Sequence, residues 1–425
     1  MKWTHRIANV WRRYEPITRR PQPGQVVPDR PLDRWPTYIS DGLTPTRLAA
    51  ILRAADDGEV EEAMALFEQM EAKDAHLHCI ASIRRLAVTG LPWRVRSAAD
   101  VLEGVDRTAA DEAADYCRQV LARIERFDET LQHLALAVGR NIALAENVWD
   151  VRDGGLTLVD VVPVSFDRIA FDDVGRPRVL TDAQPHQGIE PAYGKFVAHA
   201  PHAISGHPMR GGLLRVSALA YLGKHFVMKD WLVFCELFGM PLRVARYEPS
   251  ATAEEKRELL TMLKTLGSDA AAIFSKAVEL NLVEAGQGKA PPPYESVCRF
   301  LNQELAKAWL GQTMTVETLR QAGTVGVAQM QDDIRHELRE DDIAKEGRTI
   351  RRDVLEPLVR LEFGPDVPVP FFGRVYQRPR DVRVLAEVLR IAVNDLRMPV
   401  SARWAHEALG IPMADGQESR LKGVE

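Results

Sequence analysis

The stretch KHFVMKDWLVFCELFGMPLRVARYEPSATAEEKRELLTMLKTLGSDAAAIFSKAVELNLVEA, residues 224–285, carries the pattern that decides the architecture. Its opening continues a helix that starts near residue 213. Val216, Leu219, Gly223, Phe226 or Val227, Trp231, Phe234 and Phe238 recur at helical spacing. At about 1.5 Å per residue, a helix over 213–238 approaches roughly 40 Å. Gly239 and Pro241 end it, the first by tolerating a left-handed cap and the second by lacking an N–H. LRVARY (242–247) then reads as a strand and residues 254–266 as a helix capped by Ser250 or Thr252. AIFSKAVELNLVEA (272–285) reads as a strand or hairpin. Gly286, Gly288 and prolines 291–293 close this α/β insert, and a second long helix follows over 294–310, with Val297, Leu301, Leu305 and Ala308 or Trp309 on one face.

Working outward toward the N-terminus, residues 41–212 read as α+β. Thr44-Pro45 looks like a cap followed by proline at the first helical position. Three helices fill 44–90, with stripes Leu48, Ile51, Leu52, then Val60, Met64, Phe67 and Met70 or Glu71, then Leu77, Ile80, Ile83 and Leu86 or Ala87. WRVRSA (93–98) is a strand, 108–126 and 128–146 are helices, and a hairpin around Asp153-Gly154 precedes LTLVDVVPV, FDRIAFDD and KFVAHA. Residues 1–40 hold eight basic residues against three acidic ones, a net of +5, and six prolines, which predicts an extended arm.

Toward the C-terminus, 311–325 is weakly patterned, and 326–363 is a long helix that Gly347 and Pro357 should weaken or kink. Its first half is acidic. Residues 365–425 offer a strand (VPFFGRV), helices near 380–396 and 401–409, and a polar tail.

Composition sets limits. The 425 residues include 55 Lys+Arg and 60 Asp+Glu, a formal charge of −5, and 46% are hydrophobic. That excludes wholesale disorder. It also argues against a protein that coats DNA by bulk charge, for which a pI above about 9 is usual. The four cysteines, Cys79, Cys117, Cys235 and Cys298, are widely spaced, which suits buried thiols in a reducing compartment. The most apolar stretch, 212–238, is interrupted by Arg215, Lys224, His225, Lys229, Asp230 and Glu236, so it is not expected to span a membrane.

No phosphate-binding loop is present: Gly223-Lys224 is followed by His225, and Gly288-Lys289 by Ala290. No G-x-S-x-G elbow or H-E-x-x-H helix occurs. His199, His202 and His207, with His186 nearby, crowd one Pro- and Gly-rich loop, and a metal-assisted hydrolase built on His199 and His202 is one alternative reading. A generic helical scaffold or adaptor is another. The acidic residues of 332–342 read as either a solvated face or a carboxylate metal site.

The pattern Lys229-Asp230-Trp231, Phe234, Glu236, Gly239-Met240-Pro241 and the Arg-x-x-Arg-Tyr strand at 243–247 resembles the Mu-type phage portal protein family. VVPVSFDRIAFDDVGRPRVLT, TRRPQPGQVVP and LNQELAKAWLGQTMT resemble it too. The resemblance implies a helix-rich α+β portal fold, non-enzymatic and without cofactor. Its parts are an arm at 1–40, a wing at 41–212, stem helices at 213–241 and 294–310, and a clip at 242–293. A tunnel-loop region at 311–325, a long kinked helix at 326–364 and a short C-terminal wing or crown at 365–425 complete it.

The resemblance further implies a homo-oligomeric ring, twelve subunits, at one capsid vertex. Double-stranded DNA would be packaged and ejected through it without sequence specificity. Terminase, capsid, scaffold and neck or adaptor proteins would be partners, in the virion and, during assembly, in the host cytoplasm. Candidates for the tunnel loop and channel are Gln312, Thr313, Thr315, Glu317, Arg320 and Gln321. Clip and stem candidates are Lys224, Lys229, Trp231, Arg243, Lys256, Arg257 and Lys264. Acidic lumen candidates are Asp332, Asp333, Glu337, Glu340 and Asp341. A near-neutral lumen suits DNA, which carries one charge per about 1.7 Å of axis and would be trapped by a strongly basic wall.

Overall fold

A computed structural model describes residues 42–152, 155–239, 243–247, 252–254, 257, 271–275, 293–313, 325–376, 378 and 382–413. The arm at 1–40 lies outside them. Two units divide the chain, residues 1–374 and 375–425.

In the first unit, α1 (Pro45–Asp56), α2 (Glu61–Lys73) and α3 (Ala75–Thr89) follow one another as the periodicity predicts. Thr44 Oγ1 accepts from the Arg47 N–H at 3.2 Å, and the Asp74 carboxylate accepts from the His76 and Leu77 N–H groups at the start of α3. The α3 stripe differs from expectation. Leu77, Ile80, Ala81, Arg84 and Val88 are buried, while Leu86 is 61% exposed. The face turns toward an arginine because that arginine finds a buried carboxylate.

Strand β1 (Trp93–Arg96) leads to α4 (Arg107–Ala122), α5 (Phe127–Ala135) and the single turn α6 (Ala137–Arg140). The helix expected over 128–146 ends early. Asn141 turns into the left-handed region at φ 59°, and β2 (Ala143–Arg152) begins at once. The Asn141 side chain stabilises the reversal by donating to the His202 and Pro208 carbonyls at 2.8 and 2.9 Å. Strand β2 pairs antiparallel with β3 (Gly155–Val164) and, on its other edge, with β6 (Phe196–His199). Register links Arg152 to Gly155 across the expected Asp153-Gly154 turn, whose two residues are outside the described set. Strands β4 (Ile169–Phe171) and β5 (Pro177–Val179) form a separate antiparallel pair.

Then comes α7 (Leu213–Gly239), followed by β7 (Arg243–Tyr247), β8 (Ala271–Ser275) and α8 (Tyr294–Leu310). Strands β7 and β8 are parallel, with Arg243 opposite Ala271. A parallel pair needs a crossover of a dozen or more residues. Residues 248–270 supply it, and Glu254 and Arg257 within it are helical. Residues 276–285, the remainder of the expected strand or hairpin, fall outside the described set.

Helix α9 (Val325–Ile350) continues through one π-helical turn, Arg351–Leu355, into α10 (Glu356–Phe363). Pro357 explains the local change. Lacking an N–H, it leaves the Asp353 carbonyl without its helical donor. The Asn147 Nδ2 of β2 donates to that carbonyl instead, at 2.9 Å. Gly347 serves packing rather than bending. A Cβ there would lie 2.7 Å from the Phe372 carbonyl oxygen of β9 (Phe371–Arg374). Strand β9 pairs with β1, so it belongs to the first unit.

Two cores result. One gathers α1 to α3, β4 and β5 around α7 and α8, with Phe67, Met70, Leu214 and Trp309 inside. The other gathers α4, α5, β2, β3 and α10, with Phe127, Leu134, Val161 and Leu358 inside. The second unit holds α11 (Val382–Arg390), a π-helical turn Ile391–Asp395 and α12 (Ala402–Leu409).

Candidate functional site

The two long helices α7 and α8 run antiparallel. Trp309 Nε1 donates to Ser217 Oγ at 2.9 Å, Leu301 packs beside Gly223, and Tyr294 stacks with Trp231 at 6.3 Å between ring centroids. The apolar spacing read from sequence therefore serves two purposes along one helix. Leu214, Ala218, Tyr221 and Leu222 are buried in the subunit, whereas Leu232 on the same face is 67% exposed. Helix α7 projects past the core. Val216, Leu219, Phe226 and Val233, spaced three, seven and seven apart, form a second exposed apolar stripe. The small parallel pair β7–β8 sits in the chain between the far ends of these helices.

Several expected site residues are spent inside the subunit. Lys224 Nζ pairs with the Asp74 carboxylate at 2.8 Å and is largely covered within the subunit. Gln312 is buried and Thr313 half-buried. Lys229 and Arg257 are exposed, and Trp231 is half-buried. Strand β7 holds Arg243. Lys256, Lys264, Thr315, Glu317, Arg320 and Gln321 lie outside the described residues.

The acidic run on α9 divides. Asp333, Glu337, Glu340 and Asp341 are exposed, as a solvated or lumen-facing surface requires. Asp332 lies in the same helix, its side chain outside the described set. Asp342 and Glu346 are buried. Arg84 of α3 reaches Asp342 through Nε at 3.0 Å and Nη2 at 3.2 Å, and its Nη1 donates to the Trp309 carbonyl at 2.8 Å. Arg374 grips Glu346 at 2.7 and 2.6 Å and donates to the Leu91 carbonyl at 2.8 Å. A third cluster joins Glu71 to Arg85 and Arg140. Burial pushes the Glu71 carboxyl up, but the two guanidiniums outweigh it and hold it below the usual range. Sequence periodicity did not reveal these buried pairs, because an Asp or Arg on a helix reads as surface by default.

The histidine loop does not assemble a metal site. His199 is buried with Nδ1 2.9 Å from Thr349 Oγ1, and burial, Arg352, His202 and Lys345 push it down to about 4. His207 Nδ1 accepts from the Met209 N–H at 3.3 Å. Among the described residues no group of three His, Cys, Asp or Glu side chains is placed to hold a metal. A cation beside His199 would meet Arg352 and Lys345 first. Cys117 and Cys298 are buried as expected, but Cys79 and Cys235 are exposed, and all four are free.

Neutral buried histidines have a measurable consequence. His133, like His199, is pushed down to about 4, by burial and Arg140. Unfolded histidine titrates near 6.5, so between roughly pH 6.5 and 4 the unfolded chain binds protons that the native one refuses. Their stabilising effect is complete above about pH 6.5 and is lost as pH falls toward 4, on the order of 3 kcal/mol for each group. Urea midpoints at pH 7, 5.5 and 4.5 should fall steadily. His199→Gln should flatten part of that slope, and an unchanged slope in that variant would contradict the assignment.

Comparison with known proteins places this arrangement. Residues 64–411 match the family described as the portal protein of Mu bacteriophage. The portal protein of Escherichia phage Mu is 28% identical over 396 residues, covering 91% of this chain and 75% of that protein. The Mu-like prophage FluMu protein gp29 of Haemophilus influenzae is 28% identical over 392 residues, covering 90% and 74%. Among solved structures, a chain of the native gene transfer agent virion superposes with a TM-score of 0.53 at 11% identity, over 83% of this chain and 94% of that one. A chain from the neck of the native gene transfer agent particle, computed with C12 symmetry, gives 0.52 at 12% identity, over 87% and 100%. Among the described residues no helix is long and apolar enough to cross a membrane. With its paired long helices, its intervening α/β insert and a family match spanning most of its length, the chain belongs to the family of Mu bacteriophage portal proteins.

Proposed function

We propose that this portal protein forms a homo-oligomeric ring of twelve subunits at one capsid vertex, through which double-stranded DNA is packaged and ejected. Portal proteins are structural, not enzymatic. The observation that carries the ring is the exposed apolar stripe Val216, Leu219, Phe226 and Val233 on a helix that outruns its own core. Such a stripe is stable in water only when covered, and a second copy of the same helix pair offers a matching surface. The twelvefold symmetry of the gene transfer agent neck, whose chain shares this fold, supports the number.

In this reading the β7–β8 insert docks terminase, then neck or adaptor proteins, and the wing meets capsid and scaffold. Assembly takes place in the host cytoplasm and the product resides in the virion. Exposed Asp333, Glu337, Glu340 and Asp341 face the lumen, where carboxylates repel the DNA backbone and keep it sliding. Lys229 and Arg257 supply weak, sequence-independent contacts.

The test is assembly itself. Negative-stain images of purified protein should show rings with a central pore. Only monomers or dimers across many conditions, scaffold included, would overturn the proposal. Trp231→Asp places a charge beside Tyr294 where the helices project, and should cut ring yield by about tenfold or more while leaving subunit helicity unchanged. Sizing chromatography reads the ring yield and circular dichroism the helicity, and an undiminished ring peak would count against this face.

A further inference from the structure

Beyond Asp341 the long helix changes sign. From 342 to 355 no carboxylate is exposed, and Lys345, Arg348, Arg351 and Arg352 follow one another within two turns. A cavity of about 480 Å³ opens between this segment and the loop after β6. Lys345, Arg348, Thr349 and Arg352 line one side, His199 and His202 the other, and no carboxylate lines it. A second cavity of about 470 Å³ shares Arg348 and Arg352 and adds Arg351 and Arg360 together with the carboxylates Glu356 and Asp366. Arg348 therefore lines both cavities, of which only the first is free of carboxylates.

Two groups in the first cavity are uncommitted. Lys345 pairs with Asp341 at 2.5 Å, and Arg352 with Asp353 at 2.6 Å. Arg348 is exposed and makes no ion pair or hydrogen bond among the described residues. His202 has its Nδ1 buried without a hydrogen-bond partner. The surrounding potential is positive enough to register on both imidazoles. Burial first, then Lys345 and Arg84, lowers the pKa of His202 against the weaker pull of Asp342 and Asp341. Arg352 and Lys345 act on His199 in the same sense. Cavities of about 300–1,000 Å³ are the usual size of small-ligand sites. A planar guanidinium fork with two more cations around one volume matches a multiply charged tetrahedral oxyanion better than a single carboxylate.

We propose that this cavity is a phosphate-binding site, in which Arg348 and His202 engage the oxygens of a phosphate group, either free or carried on DNA. The site lies on the same helix as the lumen-facing carboxylates, one charge block further along. A repelling segment is thereby followed by one that holds phosphate.

The experiment is equilibrium dialysis of the assembled full-length protein with radiolabelled pyrophosphate. Saturable binding approaching one per subunit is expected. Arg348→Glu should weaken it by about tenfold or more, the scale of removing one charge-assisted hydrogen bond to an anion, and His202→Ala by several-fold. Arg118→Glu, a charge change of equal size on the exposed face of α4, should leave it unchanged. Unlabelled duplex DNA that displaces pyrophosphate would make the DNA backbone the source of the phosphate. Duplex that leaves bound pyrophosphate in place would make it a free anion. Non-saturable binding, full binding by Arg348→Glu, or an equal loss in Arg118→Glu would overturn the site, whatever the ring assays show.

Discussion

Arg84→Met is expected to lower the unfolding free energy of the subunit by about 3–5 kcal/mol, the usual cost of stranding one member of a buried ion pair. Arg84 and Asp342 are 8% and 7% exposed. The guanidinium fork spans both carboxylate oxygens and also satisfies the Trp309 carbonyl, so one side chain ties α3 to α8 and α9. Methionine keeps the apolar stem and removes every donor. What remains is a largely buried carboxylate stripped of its guanidinium partner, which costs far more than the intact pair contributes. The double variant Arg84→Met with Asp342→Leu should recover most of the loss, since a packed apolar pair often matches a buried ionic one. Urea midpoints for both variants, with unchanged denaturant slopes, provide the comparison. A double variant as unstable as the single one would mean that packing, not the stranded charge, governs the site.

Trp309→Ala should cost a similar amount, about 3–5 kcal/mol, by a different route. Its side chain is fully buried among the helices of the first core. The indole leaves no spare room: a Cβ on Gly139 would stand 3.1 Å from its ring and 2.9 Å from Leu214. Alanine opens a cavity that rigid neighbours cannot fill, and Ser217 Oγ loses the indole donor. Trp309→Phe restores most of the volume without the hydrogen bond, so it should lie much closer to wild type. If alanine and phenylalanine were equally destabilising, the hydrogen bond would dominate and the cavity argument would fail. Because Arg84 donates to the Trp309 carbonyl, the two substitutions share a partner and their effects should not add.

Much of the architecture was legible because it depends on local chemistry. Helices α1 and α2 follow their apolar stripes, and Thr44 and Pro45 mark the first turn in the expected roles. The two long helices and the small insert between them were readable from spacing, Gly239, Pro241 and the β-rich residues that follow. Pro357 stands out in the sequence as a perturbation, although its remedy, a π-helical turn with Asn147 supplying the missing donor, comes from another strand.

Where the reading failed, the deciding partner was distant in sequence. Periodicity put Leu86 or Ala87 on the core face and gave Arg84 to the surface, yet Arg84 is buried and Leu86 exposed, because Arg84 meets Asp342 from 258 residues away. The helix expected over 128–146 stops at Asn141, whose amide binds carbonyls of the 202–208 loop. The partner of Lys224 was likewise not legible, since Asp74 reaches it from 150 residues away. Gly347 looked like a helix weakener and is instead the point at which β9 crosses the helix.

The sequence by itself determined the near-balanced charge, the long helices, the insert and the portal-like order of elements, since each depends on composition or on neighbours within a few turns. Tertiary structure alone decided which charges are surface and which are clamps. It separated the carboxylates of α9 into exposed residues and buried anchors, and it gathered the basic end of that helix around a cavity. The reason is physical: a charged side chain can be buried only where an opposite charge and hydrogen-bonding groups meet it, and folding brings those partners from elsewhere in the chain.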